Sequence, residues 1–261
     1  MFQVSVLTSG SKGNCFLVKN GRTQILVDAG ITYKRYAECM QDLRLEPNAL
    51  DAIVISHEHS DHVGGAGVLH RKTNAPIYMT ESTYEHSTKK IGNLNSEPCI
   101  FSSGATMQIG SLLVHSFHSS HDAIDSNNFL IHPNDDDKKQ LAIATDLGFA
   151  HNLLKHNLSK ATTIILESNH DVEMLRTGPY EWYLKQRIAS KTGHLSNDQA
   201  CDVIEEIIND RHERLILAHL SEINNTPEIA FACMARRLNK IQKLLNLHVS
   251  LQNECMGLFE L

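Results

Sequence analysis

The chain has 261 residues, 41% of them hydrophobic, and a formal net charge of −6. This composition predicts an ordinary globular core, and the negative charge excludes a protein that binds nucleic acid through a general positive field. No apolar run approaches the ~20 residues that a membrane-spanning helix needs. Six scattered cysteines and the absence of a signal-peptide pattern predict a reducing, cytoplasmic location.

Strands and helices alternate in the N-terminal part of the chain. Strands are predicted at residues 2–6, 15–18, 24–27, 53–55 and 77–79. Turns at 9–14 and 20–21 make the first three antiparallel. The spacing of apolar residues predicts helices over 33–43 and 81–90, with a short helix after Gly65.

A second block of strands follows, near residue 100 and at 106–109, 112–117, 128–131 and 141–145. Helices at 147–156, 179–190, 197–209 and 227–246 then surround strands at 163–166 and 215–218, and two short strands end the chain. Two strand blocks, each followed by helices, predict two sheets packed face to face with helices outside. The expected fold class is therefore α/β (α+β), in an αββα sandwich.

A dense cluster of possible metal ligands follows the strand at 53–55. His57, His59, Asp61 and His62 lie within six residues of one another, and packing does not explain so many polar side chains at the end of a buried strand. Imidazole and carboxylate groups suit zinc, manganese or iron. The cluster predicts half of a hydrolytic site with two metal ions.

Candidates for the other half also follow predicted strands. They are Asp28, His121, Asp146 and His219, with His118 as a rival of His121. Each alone is explained more simply as a turn carboxylate or a hydrogen-bonded histidine. Several strand ends that all carry ligand-type side chains favour the metal site instead.

The run His57-Glu58-His59-Ser60-Asp61-His62 resembles the HxHxDH signature of the metallo-β-lactamase superfamily. Further stretches resemble its YycJ/WalJ group, bacterial proteins described as 5′-to-3′ double-strand DNA exonucleases. These stretches are Ser9–Asn14, Asp28-Ala29-Gly30, His121-Asp122-Ala123, Asp146-Leu147-Gly148, Glu167–Asp171, Gly193–Asn197 and His219-Leu220-Ser221. Because the resemblance spans nearly the whole chain, it implies one domain over residues 1–261.

The resemblance also implies two divalent metal ions per chain, with zinc favoured and manganese or iron as alternatives. Its motifs assign His57, His59 and His121 to one ion, Asp61, His62 and His219 to the other, and Asp146 to both. Asp28 would lie behind the cluster and orient its ligands. His121 is preferred to His118 because Asp122 follows it, as in the family.

The implied reaction is hydrolysis of a phosphodiester bond by a hydroxide that bridges the two ions. Asp61 then counts as a catalytic residue as well as a ligand. By analogy with the transfer-RNA-processing members, His194 is predicted to protonate the leaving group, with Glu167 holding its ring. His170 is a further catalytic-site candidate, either for substrate contact or for supporting the ligands from behind. The alternative for His194 is a loop residue that bonds the backbone.

Nucleic acid is the expected substrate, DNA more than RNA, and no membrane partner is predicted. Lys185, Arg187 and Lys191 form a modest basic helix face, which is either solvated or follows a nucleic-acid backbone. The alternatives are an RNA-directed nuclease, a hydrolase of a cyclic phosphodiester, thioester or lactone, and a non-enzymatic binding protein that keeps a relic site.

Overall fold

Two mixed sheets of seven strands each form the centre of the protein, and the computed structural model describes residues 1–261. The strands are β1 (Phe2–Thr8), β2 (Cys15–Asn20), β3 (Thr23–Val27), β4 (Ala52–Val54), β5 (Ile77–Met79), β6 (Cys99–Ile100), β7 (Thr106–Ile109), β8 (Leu112–His118), β9 (Asn127–Pro133), β10 (Leu141–Ala144), β11 (Thr163–Glu167), β12 (Arg214–Ala218), β13 (Asn246–Val249) and β14 (Phe259–Glu260).

The two sheets are built alike. The first has the order β14-β1-β2-β3-β4-β5-β6 and the second β13-β12-β11-β10-β9-β8-β7. Along the chain, each sheet begins with antiparallel strands and continues with parallel ones. The parallel strands are β3 to β6 in the first sheet and β10 to β13 in the second. The predicted antiparallel opening is confirmed by the pairing of β1 with β2 and of β2 with β3.

Nine helices accompany the sheets: α1 (Tyr33–Asp42), α2 (Ser60–Val63), α3 (Ala66–Thr73), α4 (Glu81–Ile91), α5 (Asn152–Leu158), α6 (Val172–Thr177), α7 (Trp182–Ile188), α8 (Asn197–Ile207) and α9 (Pro227–Lys240). None of them is both long and apolar enough to cross a membrane.

Strand residues alternate between two buried faces, which explains why the central strands are apolar at nearly every position. On β3, Ile25 and Val27 pack between the two sheets, whereas Leu26 faces the helices on the outside of the first sheet. On β12, Ile216 points between the sheets and Leu217 towards the outer helices. Three apolar layers therefore separate four layers of structure, and the predicted αββα sandwich is confirmed.

Several predicted helix boundaries were wrong. The helix predicted over 147–156 begins only at residue 152, because His151 caps it by accepting from the amide of Leu154. The helix predicted over 179–190 is limited to 182–188, and α6, capped by Asp171, was missed. The helix predicted over 227–246 ends at residue 240, and the chain then returns as β13.

Candidate metal centre

The candidate ligands gather at the edge where the parallel strands of both sheets end. Asp28 follows β3, Asp146 comes just after β10, and His219 follows β12. All three have a left-handed backbone, with φ of 59°, 58° and 55°. This conformation costs about 1–3 kcal/mol at each residue and persists only where the surroundings impose it. The other non-glycine residues with positive φ, Arg44, Asn74 and Gln242, follow helix ends, so among the strand ends this strain is confined to the candidate site residues.

His57, His59 and His121 form a first group of imidazoles. Nδ1 of His59 lies 3.2 Å from Nε2 of His121. The other nitrogen of His121, Nδ1, donates to the carbonyl of Gly193 at 3.2 Å, so Nε2 keeps its lone pair for the cluster. Nε2 of His57 is buried and has no hydrogen-bond partner. Three converging nitrogens of this kind suit a divalent cation.

Asp61, His62 and His219 form a second group beside the first. Nε2 of His62 lies 3.3 Å from Oδ2 of Asp61. The rings of His62 and His219 have their centroids 5.9 Å apart. This group mixes one carboxylate with two imidazoles, a ligand set that zinc and manganese both accept.

Asp146 lies between the two groups and is 2% exposed. Its Oδ1 atom is 3.5 Å from Nε2 of His121 in the first group. Its Oδ2 atom is 3.1 Å from Nε2 of His62 and 3.0 Å from Nδ1 of His219 in the second. One oxygen thus faces each group, which is the arrangement that a bridging carboxylate requires.

Asp28 and Ser56 hold the imidazole rings of His57 and His62 in place by hydrogen bonds to their Nδ1 atoms. Oδ2 of Asp28 accepts a hydrogen bond from Nδ1 of His62 at 2.8 Å. The hydroxyl of Ser56 donates to Oδ1 of Asp28 at 2.8 Å, so it can only accept from Nδ1 of His57, 2.9 Å away. His57 therefore carries its proton on Nδ1 and directs the lone pair of Nε2 into the cluster, whereas His62 donates from Nδ1 to Asp28 and turns its Nε2 atom into the cluster.

Asn14 and Ser9 hold the second group from the glycine-rich turn, and sequence reasoning did not predict contacts between this turn and the ligands. The amide nitrogen of Asn14 is 3.2 Å from Oδ2 of Asp61 and 3.1 Å from Nε2 of His62. The hydroxyl of Ser9 accepts from the backbone amide of His219 at 2.9 Å. The polar residues of the turn were visible in the sequence, but nothing in it placed the turn against strand ends so distant along the chain.

His194 and Glu167 form a hydrogen-bonded pair next to Asp146. Nδ1 of His194 lies 2.7 Å from Oε1 of Glu167 and 3.8 Å from Oδ1 of Asp146. The other oxygen of Glu167 accepts from the backbone amides of Leu147 and Leu195, at 2.9 and 3.1 Å. Burial opposes protonation of His194, but the carboxylate of Glu167 outweighs it and raises the pKa of the imidazole to about 9.

His170 and His118 lie outside these groups. His170 is buried, but it does not line the cavity that contains the metal candidates; it lines a neighbouring cavity. His118 is exposed at the end of β8, where its ring stacks on His151 with centroids 6.4 Å apart. The structure brings His121 to the cluster and leaves its rival on the surface.

The two groups differ in how they bind protons. Burial lowers the pKa of His57 and of His121, so both rings are neutral and ready to coordinate. Burial acts in the same direction on His62 and His219, but the carboxylate of Asp146 outweighs it and raises the pKa of both. Buried nitrogens without partners beside a buried carboxylate fit a pair of cations in this position.

A cavity of about 230 Å³ gives access to the cluster. The strand-end residues form its floor, and Leu184, Arg187 and Ile188 of α7 form one wall. The guanidinium of Arg187 contacts Oδ2 of Asp122 at 2.5 Å, which fixes this wall to the loop that carries His121. The cavity therefore combines a floor of metal candidates, the proton-bearing His194 and a wall that carries the ion pair of Arg187 and Asp122.

Sequence comparisons relate the chain to known nucleases. The profile of the Metallo-beta-lactamase superfamily matches residues 9–115. The exodeoxyribonuclease WalJ of Streptococcus pneumoniae serotype 2 is 38% identical over 240 residues, which cover 91% of this chain and 88% of WalJ. The exodeoxyribonuclease YycJ of Bacillus anthracis is 40% identical over 227 residues, 87% of this chain and 85% of YycJ.

Solved structures agree on the fold. The metallo-β-lactamase fold protein YhfI from Bacillus subtilis superposes with a TM-score of 0.71 at 15% identity, over 100% of both chains. The short form of human tRNase Z superposes with a TM-score of 0.66 at 14% identity, over 98% of both chains. At such low identity these similarities concern the fold alone.

Proposed function

The chain belongs to the metallo-β-lactamase superfamily, in the family of the exodeoxyribonucleases WalJ and YycJ, and on this basis we propose that it is a metal-dependent DNA exonuclease. We propose that it hydrolyses phosphodiester bonds from the 5′ end of a DNA strand. The observation that carries this proposal is the pair of His194 and Glu167, which supplies a proton donor 3.8 Å from the central carboxylate Asp146. A phosphodiesterase needs such a donor for its leaving alkoxide.

Two divalent ions are the proposed cofactors, zinc in the first place and manganese as the alternative. His57, His59 and His121 would hold one ion, Asp61, His62 and His219 the other, and Asp146 both. When bound, two such ions supply Lewis-acid polarisation of a phosphate and a water of lowered pKa. Asp61 would act as both ligand and catalytic residue, since its side chain is 22% exposed to the cavity.

The protein side chains position the substrate and move the proton. Glu167 is fully buried and bonded on both oxygens, so it holds the ring of His194 in one orientation. The remaining nitrogen, Nε2, is free to donate to the oxygen that leaves phosphorus. Arg187 lies on the wall of the cavity, paired with Asp122, and its remaining guanidinium donors could contact the phosphate backbone of DNA.

We further propose that the protein acts in the cytoplasm. All six cysteines are free thiols, including Cys201 and Cys233, whose sulfur atoms are 3.5 Å apart. Thiols at this distance would tend to oxidise to a disulfide in an oxidising compartment.

The test is digestion of end-labelled DNA by protein loaded with zinc or with manganese. We expect release of mononucleotides from the 5′ end, loss of activity with a chelator, and loss in His59→Ala and Asp146→Ala variants. His118→Ala is the matched control, because His118 is close in sequence to the candidate ligand His121 but lies outside the cluster. Intact duplex and single-stranded DNA after incubation with fully metallated protein would refute the proposal.

The same assay separates the alternatives. Digestion of RNA in preference to DNA would identify an RNA-directed nuclease. Turnover of a cyclic phosphodiester, thioester or lactone in place of either polymer would identify a small-molecule hydrolase of the same fold.

A further inference from the structure

A second cavity, of about 530 Å³, lies on the other side of α7. The helical repeat explains why one helix lines both cavities. Leu184, Arg187 and Ile188 face the metal centre, whereas Trp182 and Lys185 face the second cavity. No residue of α7 is buried, so the helix is a partition about 10 Å thick between two open spaces.

His170 belongs to the lining of the second cavity and has an unpaired ring nitrogen. Its side chain lines the cavity and is 3% exposed, and its Nδ1 atom is buried without a hydrogen-bond partner. Buried polar atoms in native proteins are nearly always paired, so an orphan of this kind indicates a ligand or an ordered water. A neutral imidazole offers one donor and one acceptor, which is the pattern that the edge of a nucleobase presents.

The lining of the second cavity also includes a large aromatic side chain. Trp182, the only tryptophan of the chain, is 70% exposed although it lines the cavity. An exposed tryptophan at a cavity mouth has a free ring face on which a planar ligand can stack. Tyr183, the next residue, is 72% exposed but lines neither cavity.

The charge of this region differs from that of the whole chain. The lining of the second cavity includes Arg176, Lys185 and one carboxylate, Asp198, whereas the complete chain has a net charge of −6. The ammonium group of Lys185 donates to the backbone carbonyls of Arg176 and Gly178, at 3.0 and 2.7 Å, so no carboxylate neutralises it. An uncompensated cation beside a stacking ring suits a nucleotide, which combines a flat base with an anionic phosphate.

We propose that the second cavity is a nucleotide subsite of the exonuclease. A base of the DNA strand, a few nucleotides from the phosphodiester in the metal cavity, enters it, stacks on Trp182 and bonds to His170. Lys185 contacts the adjoining phosphate. The strand thus passes over α7, with the scissile bond on one side and the held base on the other. This inference rests on the proposed nuclease function.

The first experiment uses the fluorescence of Trp182 as a reporter inside the subsite. The metal-loaded protein is titrated with single-stranded phosphorothioate oligonucleotides, which resist hydrolysis. We expect quenching that saturates with the DNA. A second series replaces one base at a time by an abasic residue. The affinity should fall about five- to tenfold at one or two fixed distances from the 5′ end and stay unchanged elsewhere.

The second experiment measures binding of dye-labelled oligonucleotides by fluorescence anisotropy. Trp182→Ala and His170→Gln should each weaken binding about five- to tenfold, and Tyr183→Ala, an equally exposed aromatic residue one position away, should bind like the unmodified protein. Trp182 and Tyr183 are on the surface, so neither alanine variant endangers folding. Equal losses from both alanine variants, or an even loss along the abasic series, would overturn a defined base subsite.

The outcomes separate this inference from the function on which it rests. Normal digestion without quenching, and with unchanged binding by Trp182→Ala, would refute the subsite and leave the nuclease. Quenching and a position-specific abasic effect without digestion under any metal would refute the exonuclease and leave a nucleotide-binding cavity. Absence of both digestion and DNA binding would refute both.

Discussion

Nδ1 of His194 donates a hydrogen bond to Oε1 of Glu167 across 2.7 Å, and Glu167 is completely buried. Two backbone amides occupy its other oxygen, so the carboxylate cannot rotate away from the ring. The negative charge of Glu167 favours the protonated imidazole and raises the pKa of His194 to about 9, against the effect of burial. A histidine held in this way is a proton donor at neutral pH.

Replacing Glu167 by glutamine should therefore shift the pH dependence of DNA hydrolysis. His194 donates only while it is protonated, so activity is lost as the pH rises through its pKa. Without the carboxylate this pKa falls by about 1–3 units, and the alkaline limb of the rate profile moves to lower pH by the same amount. The measurement is the initial rate of digestion from pH 5 to pH 10, with Glu206→Gln, an exposed glutamate paired with Lys155, as the control. An unchanged alkaline limb in Glu167→Gln would remove His194 from the reaction.

Metal binding should release protons from one group of ligands and not from the other. In the metal-free protein, burial keeps His57 and His121 neutral, whereas Asp146 raises the pKa of His62 and His219. A cation must displace protons from the second group but not from the first. Calorimetric titration near pH 7 in buffers of different ionisation enthalpy should show one site with proton release and one without, and affinity at the former should rise with pH. Equal proton release at both sites would contradict this assignment.

The layered fold could be predicted from the sequence because its causes are local. Strands such as β3 and β12 are apolar on both faces, and this pattern is typical of a strand between two buried layers. The start of α5 could not be placed, since the capping side chain of His151, and not helical periodicity, decides where this helix begins.

Sequence reasoning predicted those site residues that lie at strand ends or carry the ligand side chains of the family motifs. Asp28 and Asp146 lie at strand ends and carry carboxylates, so the sequence marked them. The contact of Asn14 with Asp61 was missed because it joins a turn to the short helix α2, 47 residues away, and no local pattern encodes such a contact. His170 was predicted as a substrate contact near Glu167, but in the structure it lines a different cavity from the one that contains the metal candidates. Its role therefore stays a prediction for the nucleotide subsite.

Replacing Gly30 by alanine should displace the short helix α2, which carries Asp61. A Cβ atom at position 30 would lie 1.7 Å from the backbone oxygen of Asp61 and 2.9 Å from the backbone nitrogen of Asn14. Backbone atoms cannot move aside as a flexible side chain can, so we expect a loss of stability of about 1–3 kcal/mol or more, together with a lower metal content. Gly257→Ala is the matched control, because a Cβ atom there meets nothing within 4 Å. Thermal unfolding and metal analysis of both variants test this, and a stable, fully metallated Gly30→Ala protein would contradict the close packing.

Replacing Asn14 by aspartate should empty the second metal position while the first stays filled. The side-chain oxygen of Asn14 closes its turn by accepting from the amide of Gly10 and the hydroxyl of Ser9, each at 3.0 Å, and an aspartate keeps this acceptor. It loses the N–H donor that now faces Asp61 and sets a second carboxylate against it. Because the ligands keep their positions only with such support, the affinity of the second group should fall about 10–100-fold. Metal analysis after dialysis against a weak chelator should then find close to one ion per chain in Asn14→Asp and two in Asn246→Asp, an exposed control at the start of β13. Two retained ions in Asn14→Asp would show that Asp61 and His62 hold their cation without the turn.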